Sequence, residues 1–392
     1  METIFRVIDE FLNKLLRLHW PSVVLMTLMS VAGVFFIHSA THLSDRPELH
    51  EAARQQILWI GMGFGLFMIL SMLNYRTLVE WSFWILGAVV ALLIVTLIVA
   101  TPINGAKSWI RIGGFGIQAA ELAKLAFILA SAHLLVVLQE HIKKFWLIVA
   151  VCGLALLPMA LILKQPDFGS AAVFGPIVFF MLFAAGVRKR YLFIPVVGAL
   201  ALFLICFFWV HKMEKNLPLL KPYQNDRIRT FFDPKRDPRG AGWTISQSLI
   251  AVGSGGLKGK GYKKGDQNIY GFLPKNIAYN DFIFSVIAEE FGFVGGTLII
   301  LGEGALILCA LQIAMRSSSF AGLLIATGFA GMLLAHFFVN VGMTIKVVPI
   351  TGIPLPFISY GGTFMAVCMA GMGILQSIWM DRHRRSLLGE MT

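Results

Sequence analysis

Apolar residues in this chain fall in long runs rather than in the short alternating patterns of a soluble sheet or the one-sided stripes of a soluble helix. A helix that crosses a bilayer needs about 20 mostly apolar residues. Ten windows meet that requirement: 21–41, 55–73, 80–100, 121–138, 145–163, 169–187, 191–210, 281–312, 319–345 and 359–380. The eighth and ninth are longer than a span needs, which predicts tilt, a kink or a part outside the membrane. Ahead of the first window, METIFRVIDEFLNKLLRLHW spaces Phe5, Ile8, Phe11, Leu12, Leu15 and Leu16 as one helical face. That pattern predicts an amphipathic segment, 1–20, lying along the membrane surface. It has no cleavable signal-peptide pattern. One long polar stretch, 211–280, separates the seventh window from the eighth.

The predicted fold is therefore an all-α polytopic membrane protein, a single domain over 1–392 with one large loop between spans 7 and 8. Composition agrees: of 392 residues, 57% are hydrophobic and 14% charged, against about 25% charged in soluble chains. The positions of Lys and Arg orient the bundle. Arg6, Lys14, Arg17, Arg76, Lys143, Lys144, Arg188, Lys189, Arg190, Arg316, Arg382, Arg384 and Arg385 fall on the side of the N-terminus, outweighing Arg46, Arg54, Lys107, Arg111, Lys164 and Lys346 opposite. Both termini are predicted to be cytoplasmic, with 381–392 a cytoplasmic tail and 211–280 extracytoplasmic.

The net charge of +12 would suit a nucleic-acid partner, but its distribution argues against one. The outer loop carries many cations, among them Arg227, Arg229, Lys258, Lys260, Lys263 and Lys264, and few acids. A basic, glycine-rich surface suits an anionic substrate such as a phosphate or pyrophosphate headgroup. A solvated loop drawn to anionic lipid fits the composition equally well. GSGGLKGKG lacks the Gly-Lys-Ser/Thr ending of a phosphate loop. Cys152, Cys206, Cys309 and Cys368 each sit in an apolar run without a metal-binding spacing, so they read as packing residues.

Ionisable residues at membrane depth are the candidates for chemistry. Glu121 and Lys124 are three apart, so one helix face can pair them. They read either as a structural bridge or as the polar wall of a cavity. In NIAYNDFIFSVIAEEFGFVGG, Asn280 or Asp281 stands where a helix cap is needed, and an anion would also sit there. On a continuous helix Glu289 lies roughly 80° around from Asp281 and more than about 10 Å deeper, too far for a paired acid and base. His336 and Asn340, four apart, are placed to hydrogen-bond across helices. Glu303 stands mid-span without a nameable partner. Pro349, Pro354 and Pro356 impose a non-helical connection before the last span.

Several motifs occur in order: NGAKSWI, IQAAELAKL, KQPDFGSA, DPRGAGW followed by AVGSGGLKGKG, LPKNIAYNDFIFSVIAEEFGFVG, and VNVGMTIKVVPITGIPLPFISYGGT. Together they resemble the SEDS family (shape, elongation, division and sporulation) over residues 20 to 385. The PITGIPLPFISYGG form is similar to its elongation branch. The resemblance implies a peptidoglycan glycosyltransferase of the bacterial cytoplasmic membrane. Such an enzyme polymerises lipid II at the outer face, beside a class B penicillin-binding protein and other elongasome membrane proteins, with support from Mg2+ or Mn2+. Asp281 falls on the family's essential aspartate and becomes the expected general base. Glu121 and Lys124 fall on its Glu–Lys pair. Lys164, Asp167, Arg227, Gln247 and Lys260 fall on motif positions near the outer cavity. Asn280 stands where the family has Thr, QAAE lacks the usual Pro and Ser, and Lys275 replaces Glu. A division-type paralogue, a lipid II flippase and a scaffold are the alternatives.

Overall fold

Hydrocarbon offers no partner to a backbone amide, so each apolar window must close its own hydrogen bonds as a helix. The computed structural model describes residues 13–43, 47–100, 107–112, 115–194, 197–198, 201 and 229–389. Its long helices are α1 (Trp20–Thr41), α2 (Ala52–Met72), α3 (Ser82–Val99), α4 (Ala119–Val137), α5 (Phe145–Lys164) and α6 (Phe168–Ala185). After them come α7 (Ala241–Ser254), α8 (Ile283–Met315), α9 (Phe320–Thr344) and α10 (Gly362–Gly389). All but α7, nine among the described residues, are long and apolar enough to cross a membrane. The chain is a multi-pass membrane protein with an all-α core. The seventh predicted window falls mostly outside the described residues, as do residues 1–12, 211–228 and Arg227.

Two features depart from the expectation. A small antiparallel hairpin, β1 (Trp109–Ile112) and β2 (Phe115–Gln118), leads straight into α4, with Trp109 opposite Gln118. And α10 continues to Gly389, so most of the predicted tail prolongs the last helix.

The innermost helices are α4, α9 and α10, while α2 and α3 show the most surface. Close approach is bought with small residues, as is usual between membrane helices. A Cβ on Gly371 would meet the Phe329 ring at 2.0 Å, and one on Gly373 the Phe67 carbonyl at 2.6 Å. At one end of the bundle Arg76 Nη2 pairs with Asp381 Oδ2 at 2.7 Å and Tyr75 Oη meets Ser319 Oγ at 2.6 Å. The candidate site lies at the other end.

There α8 is kinked. Gly292, at φ 65° and ψ −158°, breaks its backbone, and the freed groups need other partners. The glycine-rich stretch supplies them. Lys260 N donates to the Glu289 carbonyl (3.0 Å), Gly261 N to that of Glu290 (2.8 Å), and Phe293 N donates back to Gly256 O (2.8 Å). A Cβ on Gly259 would stand 2.1 Å from Glu290 O, so only glycine permits this docking. GSGGLKGKG therefore plugs a broken helix, a role that neither of its composition-based readings contained.

Candidate active site

Asp281 lies in the turn after a short helix, Lys275–Ala278, and its amide donates to Ile277 O at 3.0 Å. Phe282 stands at the N-cap of α8 and makes no side-chain cap there. Asn280 and Asp281, the residues expected at the cap, both precede that position. For the same reason the angle drawn from Asp281 to Glu289 on one continuous helix does not apply.

The proline-rich connection after α9 forms the opposite wall. Ser359 Oγ donates to Asn280 O at 2.6 Å and accepts from Leu355 N at 2.8 Å. Tyr360 N donates to Tyr279 O at 3.1 Å. Asn340 Nδ2, from α9, donates both to Asp281 O (3.0 Å) and to Ile353 O (2.8 Å). Gly352 adopts φ 74°, and a Cβ there would stand 3.3 Å from Asp281 Oδ2. The half-buried Asp281 carboxylate thus lies against the bare backbone of Gly352. On the far side of this connection, Gly169 of α6 packs against Thr351 O.

Behind that wall sits the predicted ion pair. Lys124 Nζ is 2.7 and 2.8 Å from the two oxygens of Glu121. The side chains are 0% and 1% exposed, so neither reaches open solvent. They brace the site from behind rather than forming a solvent-facing polar wall. A third contact, 2.8 Å from Lys124 Nζ to His336 Nε2, joins α4 to α9. The His336 ring stacks on Phe364 of α10, with centroids 4.4 Å apart.

Asp167 caps α6, its Oδ1 accepting from Ser170 N at 3.0 Å, and its Oδ2 accepts from Gln118 Nε2 at 2.9 Å. It ties the start of α6 to the start of α4, next to Glu121. Lys164 is exposed at the end of α5, and Gln247 is buried in α7. Lys260 Nζ holds Glu289 Oε1 at 2.7 Å and Asp266 Oδ2 at 2.9 Å. Burial lowers its pKa, but these two carboxylates more than offset that and hold it above the ordinary lysine value. Lys260 therefore acts as a clamp on the loop.

Glu289 and Glu290, left without a role by sequence, complete that clamp. Glu289 Oε1 also accepts from Gln267 N at 3.1 Å, and Glu290 accepts from the Ser39 hydroxyl of α1. Their partners are distant in sequence, so no local spacing signals them. Glu303 is buried mid-α8 with no hydrogen-bond partner among the described residues. Cys152, Cys309 and Cys368 are free thiols, and Cys206 lies outside the described residues. Among the described residues no three His, Cys, Asp or Glu side chains gather to hold a metal ion.

The chain matches a family model described as cell cycle protein, FtsW/RodA/SpoVE, over residues 19–384. It is 36% identical to the peptidoglycan glycosyltransferase RodA of Treponema pallidum, covering 91% of this chain and 96% of that one. A solved chain described under "Structural coordination of polymerization and crosslinking by a peptidoglycan synthase complex" superposes with TM-score 0.77 at 31% identity. That alignment covers 94% of this chain and 99% of the other. The rod shape determining protein RodA of Thermus thermophilus superposes with TM-score 0.67 at 28% identity, over 93% and 98% of the two chains.

Proposed function

The chain belongs to the FtsW/RodA/SpoVE family of cell cycle proteins, and from that premise we propose how its residues carry out the family's chemistry. It is a peptidoglycan glycosyltransferase, and the acceptor is activated at Asp281. The observation that carries this assignment is the placement of one carboxylate. Asp281 is half-buried, precedes the N-cap of α8, has its backbone held by Asn340, and lies against the backbone of Gly352.

Polymerisation requires a sugar hydroxyl to attack an anomeric carbon and a pyrophosphate to leave. Asp281 accepts the proton of the attacking hydroxyl as the new glycosidic bond forms. The polyprenyl pyrophosphate departs as the old bond breaks, and positive charge stabilises it. Lys258 and Lys264 of the outer loop are exposed and suit that task, whereas Lys260 is already engaged by Glu289 and Asp266. Lipid II as donor and acceptor, cytoplasmic termini, and a class B penicillin-binding protein as crosslinking partner complete the proposal. The similarity to a chain of a peptidoglycan synthase complex supports such a partner.

A flippase needs polar groups along a path open to substrate. Here Glu121, Lys124, Glu303 and His336 are 0–1% exposed, which favours chemistry at one end of the bundle over transport through it. The direct test is glycan polymerisation from labelled lipid II by Asp281→Asn and Asp281→Ala in complex with the partner. Loss of polymer with intact assembly supports the assignment, and full activity of a folded Asn variant refutes it.

A further inference from the structure

His336 and Asn340 have no part in the chemistry derived above, yet they join the buried ion pair to Asp281. The chain of contacts starts at Lys124. Its ammonium has three protons and no acceptor, and the two Glu121 oxygens and His336 Nε2 all lie within 2.8 Å of it. His336 Nε2 must therefore accept, which leaves the ring proton on Nδ1. That nitrogen lies 3.2 Å from Pro354 O and donates to it. One turn further along α9, Asn340 Nδ2 donates to Ile353 O and to Asp281 O. Successive turns of α9 thus hold successive carbonyls, 354 and 353, and the next residue back, Gly352, faces the Asp281 carboxylate.

This segment needs external pins. Gly352 at φ 74° has little conformational preference of its own. Pro354 has no N–H to donate, so its carbonyl is its only backbone hydrogen-bonding group. Glu121, Lys124, His336 and Asn340 are each 0–1% exposed, so the pins are shielded from competing water.

We propose that His336 and Asn340 are positioning residues for the Asp281 carboxylate, with the Glu121–Lys124 pair as the fixed end of the relay. The proposal rests on Asp281 being the base. The relay holds Gly352–Pro354 on one side of Asp281 and the Asp281 carbonyl on the other. It orients a base without touching substrate.

The test uses the full chain with its crosslinking partner and measures kcat and KM for lipid II polymerisation. His336→Phe keeps the ring that stacks on Phe364 and removes both hydrogen bonds. His336→Gln keeps an acceptor and a donor on one side chain. Asn340→Ala removes both Asn340 bonds. His336→Phe and Asn340→Ala are expected to lower kcat on the order of 10–100-fold, as misplacement of a catalytic group does, with KM within about threefold. His336→Gln is expected to recover most of the loss. A structural defect would instead lower the unfolding temperature and would not respond to the Gln variant. Should Asn340→Ala misfold, the His336 pair decides alone.

Wild-type kcat in a folded His336→Phe, a rise in KM alone, or a His336→Gln as impaired as His336→Phe would each overturn the relay. Full activity in Asp281→Asn would instead remove the base on which it rests. An inactive Asp281→Asn beside a fully active His336→Phe refutes the relay alone.

Discussion

Lys124 Nζ lies 2.8 Å from His336 Nε2, although 212 residues separate them in the chain. This contact makes the buried ion pair part of the wall behind Asp281. It also gives the pair a reason to exist in a place where ion pairs rarely add stability.

Removing one member of the pair should be worse than removing both. Lys124→Met leaves the Glu121 carboxylate buried without its cation, a loss of about 3–5 kcal/mol. Glu121→Gln combined with Lys124→Met leaves no uncompensated charge and should unfold at a higher temperature than Lys124→Met alone. Thermal unfolding in detergent measures the difference. Equal unfolding temperatures would show that the buried charge is not what the cation compensates.

The glycines of the long loop before α8 should sort by what lies beside them. Gly259→Ala puts a Cβ 2.1 Å from Glu290 O, at φ 79°. It should destabilise by several kcal/mol, of the order reserved for clashes and special backbone positions. Gly253→Ala meets nothing within 4 Å and should be neutral or slightly stabilising, as a helical Gly→Ala is by about 0.5–1 kcal/mol. Unfolding temperatures and amide exchange at Lys260 and Gly261 report the outcome.

The Lys260 clamp predicts a definite pH dependence. Its folded pKa lies above the ordinary value, through Glu289 and Asp266 against an opposing burial effect. The stability it adds is fully present below the unfolded lysine value, about 10.4, and is lost as pH rises through the folded value. Wild type should exceed Lys260→Met by about 1 kcal/mol or more near neutrality. That gap should hold to about pH 9 and narrow toward about pH 11. A gap that widens with pH would contradict the clamp.

Gly352→Ala tests the wall opposite Asp281. The new methyl would stand 3.3 Å from Asp281 Oδ2, on a backbone at φ 74°. Strain of about 1 kcal/mol or more is expected from the backbone alone. The kinetic effect should be larger, with kcat for polymerisation falling on the order of 10-fold or more through displacement of the carboxylate. An unchanged kcat in folded protein would show that this wall does not set the position of Asp281.

Much of the fold was legible because a bilayer demands about 20 apolar residues per crossing. Nine of the predicted windows reappear as α1–α6 and α8–α10 with ends shifted by a few residues, save that α10 runs on to Gly389, and the remaining one falls mostly outside the described residues. The motif resemblance led to Asp281, and the spacing of Glu121 and Lys124 led to their pairing. The break at Gly292 was less legible, because FGFVGG reads as helix unless the groups that satisfy its freed backbone are known. Those groups lie at Gly256, Lys260 and Gly261, about 30 residues upstream. The partners of Glu289, His336 and Asn340 were hidden for the same reason: each bond joins segments that only tertiary packing brings together. The cap position expected at Asn280 or Asp281 falls instead at Phe282, because α8 begins two residues after Asp281, a boundary that propensity does not resolve.

The central claim is that the Asp281 carboxylate takes the acceptor's proton. Its most direct test is polymerisation of labelled lipid II by the Asp281→Asn enzyme, assembled with a transpeptidase-inactive partner so that only glycan synthesis is read. Asn keeps the size of the side chain and removes its basicity. Loss of a general base predicts a fall in rate on the order of 100-fold or more, with assembly and unfolding temperature unchanged. Glycan strands formed at the wild-type rate would contradict the claim.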